Sequence, residues 1–170
     1  GDGDSYSNPF VDGNVNNLLD NDILDQWETW FTAMDDNGIV IFFMFYDDAA
    51  QPFGADLVGG ELPSQEAYMV DTIVDRFEHH KNLIWCVAEE YPEALTTARV
   101  SKMAERIKMA DDYDHPVGTH HLPGTSFGFN GDANMDQFAM QLNDATTSFI
   151  HSSCVSAWNN VSGLKNVNLS

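Results

Sequence analysis

Two apolar runs constrain this chain more than anything else in its sequence. Ile39 to Tyr46 is "IVIFFMFY", eight residues without a charge, followed at once by Asp47 and Asp48. Leu83 to Ala88 is "LIWCVA", followed by Glu89 and Glu90. Each run has strand length and is rich in β-branched or aromatic residues, the pattern of a strand buried on both faces in a parallel sheet. Helical spacing fills the gaps. Residues 18–36 place Ile23, Trp27, Trp30, Phe31 and Met34 on one face, and "DDNG" stops that helix at Gly38. Pro63 and Ser64 open a second helix with Val70, Ile73, Val74 and Phe77 as its inner stripe. Thr96 or Thr97 opens a third, with Val100, Met103, Ala104, Ile107 and Ala110 turned inward. "HPVGTHH" and "MDQFAMQL" read as short strands, residues 144–160 as a weaker helix and "KNVNLS" as a fifth strand. Strand and helix in alternation specify an α/β fold with right-handed crossovers. The loop "LPGTSFGFNGDAN" is too short for a full helix, so the connection between the third and fourth strands is compressed.

Charge narrows the function classes. Seven Lys+Arg against 27 Asp+Glu leave a formal charge of -20, which excludes binding by phosphate neutralisation and docking on an anionic membrane. No stretch approaches the roughly 20 apolar residues of a membrane span. A 43% hydrophobic share is ample for one core in 170 residues, so a single domain is expected over 1–170. Cys86 lies within an apolar strand, so a buried structural thiol is expected there, and neither it nor Cys154 belongs to a CxxC pattern, which argues against a thiolate zinc site or a thioredoxin-like motif. "NVS" at Asn160 and "NLS" at Asn168 match the glycosylation sequon.

The chemistry gathers where strands end. The first run ends in Tyr46, Asp47 and Asp48, the second in Glu89 and Glu90, the third in His120 and His121, and the fourth in Gln141 and Asn143. Parallel strands bring these ends to one rim, where (β/α)8 barrels and open α/β sheets hold their ligands. Along the second strand Ile84, Cys86, Ala88 and Glu90 alternate to one side, and Leu83, Trp85, Val87 and Glu89 to the other. Trp85 suits a helix layer. Glu90 is therefore expected to point into a barrel mouth, unless a bulge re-aims it.

"HKNLIWCVAEEYPE", following "LPSQEAYMVDTIVDRFEH", resembles the fourth-strand region of clan A glycoside hydrolases, a buried strand that ends in Asn-Glu. The closest likeness is to cellulase-like and apiosidase-like barrels of secreted bacterial proteins. "GIVIFFMFYDD" resembles their third strand, "DDYDHPVGTHH" their fifth with its lead-in, and "GDGDSYSNPF" the loop after their second. The resemblance implies a partial (β/α)8 TIM barrel, from the end of strand 2 to strand 7. It implies retaining hydrolysis of O-glycosidic bonds in a poly- or oligosaccharide, with Glu90 as general acid/base and no cofactor. Asp47, Asp48, Glu89, His120, His121 and Gln141 would bind the substrate, and the protein would be extracellular. Two departures stand out. Glu89 occupies the place of the family's Asn; an ionised carboxylate accepts hydrogen bonds but donates none, and its charge favours the protonated form of a neighbouring acid. The family's nucleophile ends the seventh strand, so it is expected beyond Ser170. An arc of this kind leaves open sheet edges through which copies could associate.

Two other readings compete. Asp47, Asp48, Glu90, His120 and His121 could form a nitrogen and oxygen site of a metal-dependent hydrolase, although no HxH or HExxH spacing is present. His79 and His80 fall at the wrong end of a strand for that site and read as helix caps. A degenerate barrel that binds carbohydrate without cleaving it is compatible with both departures. "DGDSYSNPFVDG" shares only Asp2 and Asp4 with a calcium loop; Ser7 stands where Gly is needed, and Gly13 where Glu is needed.

Overall fold

The structure is a computed structural model and describes residues 8–143 and 146–169. Five strands and four helices alternate along it: α1 (Asn21–Asp36), β1 (Ile41–Tyr46), α2 (Ser64–Phe77), β2 (Leu83–Ala88), α3 (Thr97–Ala110), β3 (Val117–His120), β4 (Gln137–Met140), α4 (Thr147–Asn160) and β5 (Asn166–Leu169). The strands form one sheet in the order β1-β2-β3-β4-β5, and every neighbouring pair is parallel. The order never reverses. Right-handed crossovers, the near-universal hand, then place successive helices on one face and all strand C-termini on one rim.

Local chemistry explains the boundaries. The Asp20 carboxylate accepts the Asp22 N–H and caps α1. At the other end Gly38 takes φ +67, the Gly38 N–H reaches Asp35 O at 3.0 Å, and the Ile39 N–H reaches Met34 O at 2.9 Å. That is a Schellman termination, which needs a residue without a Cβ penalty at this position. The Thr96 hydroxyl accepts from Arg99 N and starts α3. No helix of the described residues is long and apolar enough to cross a membrane.

The inner stripes of α2 and α3 fall as their spacing predicts. Val70, Ile73, Val74, Phe77, Val100, Met103, Ala104 and Ile107 are buried, and Ala110 is half-buried. The expected face of α1 is rotated. Leu24 and Phe31 are its buried residues, whereas Ile23 and Trp27 are half-buried and Trp30 and Met34 are exposed. Phe31 anchors the helix by packing on Phe43, Phe77 and His80. β1 also differs from the expectation of burial on both faces, since Phe42 to Phe45 are only half-buried. It is an edge strand, paired on one side by β2 alone.

Between β3 and β4 a loop does the work of a helix. Phe127 stacks on Phe138 with ring centroids 4.8 Å apart, and Phe127, Phe129 and Met135 are buried. At about 1.5–3 kcal/mol for each large apolar side chain buried, three such residues cover the sheet well without a helix. The two strands approach closely here. A Cβ on Gly118 would lie 2.8 Å from Gln137 O, so only glycine fits.

Candidate functional site

The rim at the strand C-termini is built mainly by β1 and β2. Both strands stop two residues short of the expected acid ends. Glu89 N–H still donates to Tyr46 O at 3.0 Å, the last rung of the ladder. Asp47 and Asp48 lie in a turn, where Asp48 N–H donates to the Asp47 carboxylate at 3.0 Å. Strand alternation ends at Ala88 and does not direct Glu90. Glu90 takes the left-handed conformation, φ 38 and ψ 45, and heads the short 3-10 turn Tyr91–Glu93. A non-glycine residue there is strained by about 1–3 kcal/mol and persists only where its surroundings hold it. The holding contacts are clear. Glu90 N–H donates to His120 Nδ1 at 3.2 Å, and the Tyr91 ring is wedged between His121 and Phe129 with centroids 5.2 Å from each.

The turn collects five carboxylates. Asp48, Glu90 and Glu93 bring one oxygen each within 4.8 Å of the others. Burial first, then a hydrogen bond shared with Asp47 and the charges of Asp47, Asp48 and Glu90, push the Glu89 carboxyl above the ordinary glutamate range. Glu93 is raised as well, chiefly by its hydrogen bond to Asp48 and by that residue's charge. Glu93 was visible in the sequence as part of the acid run but not singled out; its place three residues beyond Glu90, one turn of a tight helix, is the signal that joins them.

His120 is 4% exposed, and burial pulls its pKa below the usual imidazole value against the opposing charge of Glu90. Because Nδ1 accepts from Glu90 N–H, the proton of the neutral ring sits on Nε2. His121 turns aside. Its ring packs against Tyr91 and Phe138, and its Nδ1 faces Leu122 O at 3.2 Å. Gln141 is half-buried just past β4, and its Oε1 is buried without a hydrogen-bond partner among the described residues. Asn143 is exposed. The structure thus brings Asp47, Asp48, Glu89, Glu90 and His120 together with Glu93. His121 and Gln141 occupy the next strand ends. Among the described residues, the cluster of Asp48, Glu90 and Glu93 offers carboxylate oxygens alone, without the histidine ligands of a mixed metal site. Cys86 lies deeper in β2, its thiol pushed up to about 12 by burial, and is chemically inert. The calcium-loop comparison, with Asp2, Asp4 and Ser7, lies outside the described residues.

A large cavity lies elsewhere. A groove of about 710 Å³ follows the free edge of β1, lined by Trp27, Trp30, Phe43, Phe45 and Met69, and reaches the acid rim only at Asp47. Its walls are mostly apolar, with Asn8, Tyr46, Asp47 and Gln51 as the polar lining, so the rim, where carboxylates converge, is the better candidate site.

Comparison with known proteins reveals the fold and little else. No protein-family model matches the sequence, and no curated protein matches it. Among solved structures, it is similar to a crystal structure of a Bacteroides vulgatus protein provisionally named a glycoside hydrolase. The TM-score is 0.64 at 15% identity, over 88% of this chain. The chain spans 28% of that protein's length. The chain therefore shares the α/β fold of the corresponding part of that protein, at an identity too low to carry residue roles.

Proposed function

We propose that this chain is an arc of a (β/α)8 barrel, its strands corresponding to the third to the seventh, in a clan A glycoside hydrolase of retaining mechanism. The observation that carries the reading is the placement of Glu90 beside His120 on a rim of parallel strand ends, within a sheet whose order never reverses. The similar fold of the Bacteroides vulgatus protein supports it. In this reading Glu90 protonates the glycosidic oxygen as the bond breaks and later takes a proton from the attacking water. The neutral His120, with its proton on Nε2, and the half-buried Gln141 supply hydrogen-bonding groups for sugar hydroxyls. Glu89, its carboxyl pushed above the ordinary glutamate range by burial and by its carboxylate neighbours, stands in the place of Asn and accepts hydrogen bonds there.

Retention requires a second carboxylate about 5–5.5 Å away on the opposite side of the reacting carbon. Asp48, Glu89 and Glu93 crowd Glu90 within one turn region, so we assign the nucleophile to a glutamate beyond the 170 residues. An extracellular location and a poly- or oligosaccharide substrate belong to the same proposal.

The test compares the natural protein with its Glu90→Gln variant on a panel of aryl glycosides and oligosaccharides. General acid/base loss is expected to lower kcat by about 10²–10⁴-fold. Equal turnover by the two proteins removes Glu90 from the mechanism. Oligosaccharide binding by both with hydrolysis by neither supports a carbohydrate-binding protein on a degenerate barrel.

A further inference from the structure

The opposite edge of the sheet, where the strands begin, carries a second cluster of polar side chains. Glu28 comes from the middle of α1, and His79 and His80 from the turn between α2 and β2. One donor atom from each lies within 4.8 Å of the other two. Glu28 Oε1 is hydrogen-bonded to His79 Nε2 at 3.1 Å and stands 3.2 Å from His80 Nε2 without a hydrogen bond. Neighbouring ligands of a tetrahedral zinc ion, with bonds of about 2.0–2.1 Å, stand about 3.3 Å apart, so both separations fit one edge of such a site.

A simple ion pair does not account for His80. Its ring is 2% exposed, and its Nε2 is buried with no hydrogen-bond partner, although Glu28 Oε1 is close. The nitrogen is near the carboxylate but not aligned with it. That misalignment is what a shared metal requires, since a lone pair aimed at the ion must point beside, not at, the neighbouring ligand atom. The far side of the same ring faces a carboxylate: Asp35 Oδ2 stands 3.7 Å from His80 Nδ1, a charge contact longer than a hydrogen bond, and the Asp35 carboxylate is itself fixed by the N–H groups of Lys81 and Asn82 at 3.4 and 3.3 Å. A carboxylate behind a histidine is the usual outer support of a metal-bound imidazole.

From this geometry we infer a binding site for one zinc-class divalent ion, held by Glu28 Oε1, His79 Nε2 and His80 Nε2. Two nitrogens and one oxygen suit zinc and its neighbours in the transition series and disfavour magnesium and calcium, which take oxygen ligands. The side chains of His79 and Glu28 are 50% and 30% exposed, leaving the fourth position open to water. Bound there, the ion clamps α1 to the start of β2, away from the acid rim, and the inference stands whether or not the rim is catalytic.

The test titrates Zn²⁺ into the chelator-stripped chain by calorimetry, with Co²⁺ as a visible-absorbing substitute and Mg²⁺ and Ca²⁺ as controls. His80 is part of the core, so the variants are the more exposed His79→Ala and Glu28→Gln, each checked for folding by circular dichroism. One Zn²⁺ per chain is expected, with the intense d–d bands of four-coordinate Co²⁺ and an affinity loss of at least about tenfold in each variant. Glu90→Gln should bind as the parent does. Absence of binding, or unchanged affinity in either variant, overturns the site. Loss in Glu90→Gln alone relocates the ion to the acid rim and overturns it equally.

Discussion

Glu66 and Arg99 are charged residues buried as deeply as any leucine, at 0% and 1% exposure. Arg99 donates to Glu66 Oε2 at 2.5 Å and to Asp56 O at 2.6 Å, and the Tyr46 hydroxyl donates to Glu66 Oε1 at 2.5 Å. The three side chains tie the first turns of α2 and α3 to the end of β1, and the Asp56 contact pins the loop that follows Asp47 and Asp48. A buried pair of this kind stabilises little relative to apolar residues of equal size, but removing one partner strands the other's charge. Glu66→Ala is therefore expected to destabilise the chain by about 3–5 kcal/mol, whereas Glu66→Leu with Arg99→Met should be nearly neutral. Urea denaturation of the two variants measures the difference; equal losses would show that volume, not charge, governs the site. Neither residue was singled out from the sequence, although Glu66 lies in phase with Val70, Ile73 and Phe77, and Arg99 with Met103 and Ile107; a charge on an apolar stripe is the signal that marks them. The acid rim was legible, since carboxylates directly after apolar strands must sit where the strands emerge. The left-handed turn at Glu90 was not, because it depends on His120, which is 30 residues away.

At the scale of elements, the strands and helices followed from periodicity, while exposure at the sheet edges did not. Periodicity states which residues share a face, but not whether a neighbour covers it. β1 is as apolar as a central strand, yet Phe42 to Phe45 are half-buried beside a groove of about 710 Å³. β5 repeats the pattern on the other edge. There Cys154, Val155 and Trp158 of α4 line a smaller groove of about 320 Å³ with Val167 and Leu169. Trp30 and Trp158 stand exposed at the two grooves, at 49% and 54%. A neutral apolar probe such as Nile red, which the net negative charge does not repel, should partition into both. Trp30→Ser is expected to reduce its emission more than Trp158→Ser, in keeping with the groove volumes. Both variants should keep the parent's melting temperature, because each removes an exposed ring. Equal emission from the parent and both variants would mean that the grooves are closed in solution.

For the molecule as a whole, a charge of -20 sets the response to pH and salt. Glu89 and Glu93 both bind protons more tightly in the fold than free glutamate does, the first chiefly through burial and the second chiefly through its hydrogen bond to Asp48. Stability from a raised carboxyl is complete below its unfolded pKa, about 4.3, and is lost as pH rises through the folded value. These groups therefore favour the fold as pH falls from neutrality, and relief of net repulsion acts in the same direction. Two groups oppose them. Burial lowers the His120 pKa, so its contribution is present above the ordinary histidine value, about 6.5, and is lost as pH falls through the depressed one. Asp111 behaves likewise at lower pH. Burial would raise it, but hydrogen bonds from Tyr113 N–H, Trp85 Nε1–H and His115 outweigh that, so its contribution is lost only below about pH 3.9. Glu66, raised chiefly by its burial, acts with Glu89 and Glu93, so one imidazole stands against three carboxyls and the repulsion of the whole surface. The melting temperature should accordingly be higher near pH 5 than near pH 7.5 and should fall again below pH 4. Added salt shortens the Debye length from about 10 Å at 0.1 M to 3 Å at 1 M, so it should raise the melting temperature more at pH 7.5 than at pH 5. A melting temperature that falls steadily from pH 7.5 to pH 5, with no difference in salt response, would show that the acid rim is neutralised by bound cations and not by its own protons.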